Sequence, residues 1–340
     1  MSRRLYTFFA ALGAAAAIAG CSAGANPVNA TLQRSGNQNL AAQQGMHVAF
    51  GPYVTAPAHR GGGWISPSAA HAGIIYGASY NGAVINMYAL KGNNQTVVGQ
   101  LTNSLVSPQG IVVDAHHRLW VANTNAGNIV GFDRGATTPF RTLQDTNEFP
   151  ISVAVDESGN VYAANAESTT GPPGNVVMYT PGSTNPIVLT YADFNLVLGI
   201  GVDPGGNVFV SYIGGFGPSV MEFPKGSQTG QQVNISGEQI SDVIFDDSAD
   251  LLMEDNFGGV GVWPTPYAGG PVKTIPAFGN EPTFNRTEGK IWVALANPNT
   301  PEILGYDVKT GSLVDTITDG WNGNVWPYGV AIDPRASLSH

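Results

Sequence analysis

Cysteine is nearly absent: Cys21 is the only one in the chain. No disulfide can form within the chain, so the fold must be held by packing and hydrogen bonding. Histidine is scarce too, with six residues, and no HExxH pair occurs among them. There is no GxSxG elbow, no SxxK and no Walker loop, which removes several common nucleophile and phosphate-binding chemistries. Charge is sparse at 11% of residues, against about a quarter in ordinary globular chains. Basic residues are the scarcer sign, 14 against 24 acids. Nucleic-acid affinity rests on Lys and Arg neutralising phosphates, so this balance argues against a nucleic-acid partner. Gly (44) and Pro (23) are so frequent that long helices are not expected beyond the first twenty positions.

What is present is a repeat. Copies open at Ser107, Pro150, Leu196, Ser241 and Glu281, and read SPQGIVVD, PISVAVD, LVLGIGVD, SDVIFD and the weaker EPTFN. Each opening strand ends at Asp114, Asp156, Asp203, Asp246 or the degenerate Asn285. A period of roughly 40 to 50 residues announces stacked supersecondary units. After each Asp come a polar turn, a second strand, another turn and a third strand. RLWVANT, NVYAAN, NVFVSY and KIWVALAN are rich in Val, Tyr, Phe and Trp, as strands should be. GIVVD and GIGVD are short and almost wholly apolar, which suits strands buried on both faces near a ring axis.

The ends of the repeat region complete a ring. WPYGVAID, ending at Asp333, is an opening strand with no unit behind it. Ile74 to Leu90 matches the second and third strands of a unit that lacks its opening strand. Docking one on the other gives an all-β, six-bladed β-propeller, closed by pairing of the C-terminal strand with the first blade. Closure removes sheet edges that would invite aggregation. The repeated Asp residues read as turn acceptors of backbone N–H bonds.

The N-terminus carries an address. Arg3 and Arg4 precede an apolar run from Leu5 to Ala19 that is too short for a comfortable transmembrane span. Residues 1–20 read as a signal peptide. Ile18-Ala19-Gly20-Cys21 resembles the bacterial lipobox, which implies lipidation of Cys21 and a lipid anchor in the membrane of the bacterial cell envelope. Multiple acyl chains, at about 0.8 kcal/mol per buried methylene, would hold the protein there. Ser22 resembles the outer-membrane-sorted class, with the head in the periplasm or at the surface. Residues 21–69 form the lipidated N-terminus and tether. The Ala-, Asn- and Gln-rich part to about Gly45 cannot bury enough surface to order itself; its coil reach is about 25 to 30 Å. His47 to Pro67, which includes the triplet Gly61-Gly62-Gly63, is transitional. The propeller occupies 70–335.

Candidate site residues follow from the loop face, where loops entering the inner strands meet those joining strands two and three. The entering segments supply Gln109, Phe149, Asp242, Glu281, Trp326 and Tyr328. The second-to-third loops supply Asn123, Asn165, Tyr212, Asp255, Asn256 and Asn297. Aromatic, amide and carboxylate groups together suit a polar neutral or cationic small ligand, sugars included, or a protein partner. The same Asn residues can equally cap turns, and the aromatics can fill blade interfaces. Asp242 replaces the Gly or Ser found elsewhere in the opening strand, so it should face the central channel, with Glu254 and Asp255 on the same side. Asp246-x-Ser248-x-Asp250 has the look of a calcium loop, but Phe257 stands where a bidentate Glu is required, so a turn is expected. His116 and His117 fill a turn on the opposite end of the ring.

The units resemble NHL repeats, on Pro108-x-Gly110-Ile111-Val112-Val113-Asp114, Val155-Asp156-x-x-Gly159-Asn160-Val161-Tyr162-Ala163 and Gly329-Val330-Ala331-Ile332-Asp333. That implies a propeller and says little of function. The six-bladed gluconolactonase-like lactonases share this architecture and hold a divalent cation at the channel mouth. Their early Glu-Gly-Pro segment is missing here. A streptogramin-type lyase would need a His in the channel, and none is placed there. The expectation is therefore a non-catalytic binding lipoprotein without a cofactor. The alternative is a lactonase or hydrolase using calcium or another divalent cation, with Asp242 and Asp255 as metal candidates.

Overall fold

The computed structural model describes residues 62–334 apart from 68, 70–72, 92–94, 236–239, 247, 256–258, 286–287 and 298. Cys21, the signal peptide and most of the tether lie outside the described residues. Six antiparallel sheets make up the described chain. Blade 2 runs Pro108–Val113, Leu119–Asn123, Asn128–Phe132 and Arg141–Gln144 from the axis outward. Blade 3 runs Glu148–Val155, Val161–Ser168, Asn175–Tyr179 and Ile187–Leu189. Blade 4 runs Leu196–Val202, Val208–Gly214, Gly217–Phe223 and Gln231–Val233. Blade 5 runs Ile240–Phe245, Leu251–Asp255, Gly259–Trp263 and Lys273–Ile275. Blade 6 runs Asn280–Asn285, Lys290–Leu295, Glu302–Asp307 and Leu313–Ile317.

Blade 1 is composite. Its inner strand is Gly329–Asp333, which pairs antiparallel with Ile74–Ser79 in the register Ile74 to Asp333 and Ala78 to Gly329. Val84–Ala89 and Val97–Leu101 follow outward, and Trp64–Ile65 adds a fifth, outermost strand. Trp64 Nε1 donates to Gln100 Oε1 at 3.2 Å, and Ser66 N–H to Val98 O at 2.8 Å. Part of the transitional segment is thus packed on the ring. Inner strands contact their neighbours all the way round, including Gly329–Asp333 against Pro108–Val113 and against Asn280–Asn285. The C-terminal strand therefore closes the circle.

Each of the six blade interfaces holds its own apolar cluster. Tyr76 and Met87 meet Leu119 and Phe132 between blades 1 and 2. Trp120 meets Val161 and Tyr179 between 2 and 3, and Tyr162 meets Val210 and Tyr212 between 3 and 4. Phe209 meets Phe245 and Trp263, Val262 meets Ile291, and Trp292 meets Tyr88. Sheets covered on both faces explain why Leu119–Asn123 and Val208–Gly214 are buried at every position. Each large side chain so buried contributes about 1.5–3 kcal/mol. Outer edges are blunted by strands of three residues in blades 3, 4 and 5.

The strand-end acids do what turn chemistry asks. Asp114 Oδ1 accepts the N–H groups of His116 and Arg118 at 2.8 and 3.0 Å. Asp156 and Asp203 accept from Asn160 and Asn207 at 2.9 and 2.8 Å. Asp246 accepts from Ser248 and Asp250 at 2.8 and 2.9 Å, which makes the DxSxD stretch an ordinary blade turn. Asp333 has no described turn after it and is used otherwise. Fully buried, its Oδ1 lies 2.6 Å from His117 Nδ1 and its Oδ2 2.9 Å from Arg134, both in blade 2.

Candidate functional site at the channel mouth

Four residues before each strand-end acid or Asn, the six inner strands place Gly110, Ser152, Gly199, Asp242, Glu281 and Gly329. These positions meet at the axis. Ser152 Oγ, from blade 3, donates to Asp242 Oδ1, from blade 5, at 3.1 Å. A Cβ added at Gly199 would lie 2.7 Å from Asp242 Oδ1, and one at Gly110 would lie 3.2 Å from Glu281 Oε2. The glycines thus leave the room that the two acids occupy; any larger residue at 199 would collide with the Asp242 backbone.

Asp242 and Glu281 are buried, and they share a hydrogen bond. Burial pushes the Glu281 carboxyl well above its ordinary value, and the neighbouring charges of Asp242 and Glu254 push it further. Burial also raises Asp242, but the hydrogen bonds from Glu281, from the Val243 N–H and from Ser152 pull it back. Burial and the neighbouring charges both favour the protonated form of Glu281 beside the Asp242 carboxyl. Glu281 sits at φ 48°, in a left-handed backbone that a non-glycine residue adopts at a cost. Glu254 is 4% exposed and accepts the Ser241 hydroxyl at 2.6 Å. Three buried carboxyls in one channel, with no Lys, Arg or His among the groups acting on Asp242 or Glu281, make an electronegative mouth. Such a mouth can receive protons, hydroxyl groups or a cation.

The other sequence candidates separate into groups. Gln109 is buried at the start of its inner strand and its Oε1 accepts the Thr124 hydroxyl at 3.3 Å. Tyr328 packs near Tyr80, ring centroids 6.3 Å apart, with Trp326 and Phe149 half-buried on the same face. Asn123 clips a loop: its Oδ1 accepts Val106 and Ser107 N–H at 2.8 and 3.2 Å, and its Nδ2 reaches Ser104 O and Asn128 Oδ1. Asn297 caps its own turn through Asn299 N–H at 2.9 Å. Tyr212 lies in an aromatic cluster with Phe194 and Tyr191 between blades 3 and 4, away from the axis. Asn165 turns into the wedge between blades 2 and 3, where it bonds Asn175 at 2.8 Å. Asp255 pairs with Ile240 and Gly259 through its backbone. Its side chain and Asn256 lie outside the described residues. Ser152 was not among the candidates, although PISVAVD shows a polar residue at the place where PQGIVVD has Gly.

A closed ring of six antiparallel units, five of four strands and one with an added fifth strand, defines a six-bladed β-propeller. A chain from the crystal structure of a nidogen/laminin complex has the same fold, with a TM-score of 0.61 and 13% identity, over 77% of this chain and 98% of that one. No protein-family model matches the sequence, and no curated protein matches it.

Proposed function

We propose that this chain is a lipoprotein of the bacterial cell envelope whose propeller head binds a ligand or protein partner through its loop face, without chemistry. The lipid on Cys21 and the tether of residues 21–69 are read from the lipobox resemblance and the polar composition of that stretch. The observation that carries the binding reading is the Asp242–Glu281 carboxyl pair, buried at the channel mouth beside Glu254. A ring position that is Gly or Ser in the other four blades, yet carries two buried acids here, holds a destabilised polar group where ligands meet propellers. The chemistry favours a polar neutral or cationic ligand: an amine can take the charge of Asp242, and a polyol can exchange hydrogen bonds with the pair. The similar chain comes from a nidogen/laminin complex, which is compatible with a protein partner for this fold.

Thermal-shift titration of the protein with a panel of amines, amino sugars and neutral sugars tests the reading. A saturable shift in the wild type that disappears in Asp242→Asn and Glu281→Gln supports it. A shift that both variants retain places the ligand elsewhere. The second reading, a metal-dependent lactonase of the gluconolactonase-like type, draws on the same acids. It requires turnover of a lactone that depends on added divalent metal and on Asp242. The anchor has a separate test: Cys21→Ser should move the protein from the membrane to the soluble fraction, and a variant that stays membrane-bound would refute lipidation.

A further inference from the structure

A second group of acids lies outside the channel, in the wedge between blades 2 and 3. Asp145 follows the outer strand of blade 2, and Glu148 opens the inner strand of blade 3. The joining turn is tight: Glu148 N–H donates to Asp145 O at 3.2 Å, and Asp145 N–H to Gly127 O at 2.9 Å. Asn165 enters from the second strand of blade 3, and its neighbour Asn175 from the third. The Asn165 amide N–H donates to the Asp145 carboxyl, and the Asn175 amide N–H to that of Glu148, which leaves the second oxygen of each acid to be accounted for. Glu167 stands two positions beyond Asn165 and is 2% exposed.

The chemistry of this wedge is incomplete. Asn165 is 0% exposed, and its Nδ2 is used on Asn175 Oδ1, but its Oδ1 has no hydrogen-bond partner. Asp145 is 4% exposed and its Oδ2 has none either, nor has Glu148 Oε2. Three oxygens from three side chains are therefore buried without a donor. No Lys or Arg acts on Asp145 or Glu148. Each orphaned acceptor costs about 1–3 kcal/mol. Burial raises the Asp145 carboxyl to about 7 and the Glu148 carboxyl above its ordinary value, so ionising them calls for a counter-charge as well as donors. A water molecule could supply donors but no charge. What Asp145 and Glu148 lack is a positive group that their oxygen atoms can ligate. Among the described residues no three His, Cys, Asp or Glu side chains form a ready metal centre; here the third donor is an amide oxygen. An all-oxygen set of carboxylate and amide donors, with carbonyls and waters completing the shell, is the preference of a hard cation such as calcium.

We infer that the wedge between the second and third blades is a calcium-class cation site, with Asp145, Glu148 and Asn165 as its side-chain ligands. The ion would tie the two blades together where the linking loop crosses. This site is independent of the channel mouth and of the binding function proposed for it.

The protein, stripped with a chelator, is titrated with calcium and, separately, with magnesium. The expected result is saturable uptake of a single calcium ion per chain and a rise in melting temperature that EGTA reverses. The Asp145→Asn/Glu148→Gln double variant keeps size and removes charge, and should weaken calcium binding about tenfold or more. Asp242→Asn, in the channel, should leave the affinity unchanged. Terbium luminescence locates the ion without touching a ligand. Tyr179 donates its hydroxyl to Gln144 O, next to Asp145, so Tyr179→Phe should lose much of the sensitised emission while still binding calcium. No saturable uptake by the wild type would overturn the inference, as would uptake retained by the double variant or lost in Asp242→Asn. If the double variant does not fold, the Tyr179→Phe emission decides: an unchanged signal overturns the site.

Discussion

Each repeat has two inner-strand positions four residues apart, and Asp114 at one of them behaves in the opposite way to Asp242 and Glu281 at the other, while burial raises Asp333 although it stands at a strand end. At the strand end, Asp114 is held by donors. Burial pushes its carboxyl up, but the Trp120 indole, the Arg118 N–H and guanidinium, and the His116 N–H together pull it below the usual carboxylate range. Asp114 is ionised and satisfied. At the strand start, Asp242 and Glu281 have each other, one serine and a few N–H groups, and both are pushed up. The same side chain stabilises one end of the ring and strains the other. The difference is the supply of donors: a turn presents free N–H groups, whereas the ring axis presents the acids to one another. A residue that costs the free protein stability at neutral pH is a candidate for use, and one that merely closes a turn is not.

The largest expected effect tests the stabilising end. Asp333→Ala removes the buried carboxylate that receives both His117 and Arg134, and should cost about 3 kcal/mol in a urea unfolding titration. A loss below about 0.5 kcal/mol, the range of an ordinary surface substitution, would mean that sheet pairing alone closes the ring. Asp156→Ala comes next. It takes acceptors from the Asn160 N–H, the Asn160 amide and the Tyr162 hydroxyl, at 2.9, 2.7 and 3.1 Å. A loss of about 2 kcal/mol is expected. A neutral outcome would erase the distinction between the two ends.

The repeat made the fold readable because its Asp turns and apolar inner strands are local signals at a steady period. Closure was readable too, since WPYGVAID lacks the strands that Ile74 to Leu90 supplies. Asp242 was readable for a different reason: it stands where other copies carry Gly or Ser. Its pairing with Glu281 was not, because the two strands come together only in the assembled ring. Asn123 looked like a ligand because it ends a strand on the loop face, but N–H groups from sixteen or seventeen residues earlier converge on its Oδ1. That convergence depends on how the entering loop folds, which no local pattern encodes. Tyr212 looked like a loop residue, but its strand runs on to Gly214 and carries it into the blade interface. Asp145 and Glu148 lie in the joining segment between copies, where the repeat offers no template. The partners of Asp333 are 216 residues away in sequence for His117, beyond any reading by spacing.

The smallest expected effect is the sharpest, because its sign is reversed. The folded Asp242 carboxyl is raised from 3.8 to about 6. Between those values the folded state binds more protons than the unfolded state, so stability falls as pH rises. The contribution is fully present below about pH 4 and is lost as pH passes through about 6. Asp242→Asn removes the ionisation while keeping an oxygen that can accept from Ser152 and Glu281. The full shift is worth about 3 kcal/mol, and the weaker hydrogen bonds that an amide oxygen accepts offset part of it. The variant should therefore be more stable than the wild type at neutral pH by about 1 kcal/mol, with the advantage lost in acid. Urea midpoints measured from pH 4 to pH 8 read this directly. A variant less stable than the wild type at pH 7, or a difference that does not change with pH, would show that Asp242 is held as comfortably as Asp114. The strain at the channel mouth, and the reason for assigning it a use, would then be gone.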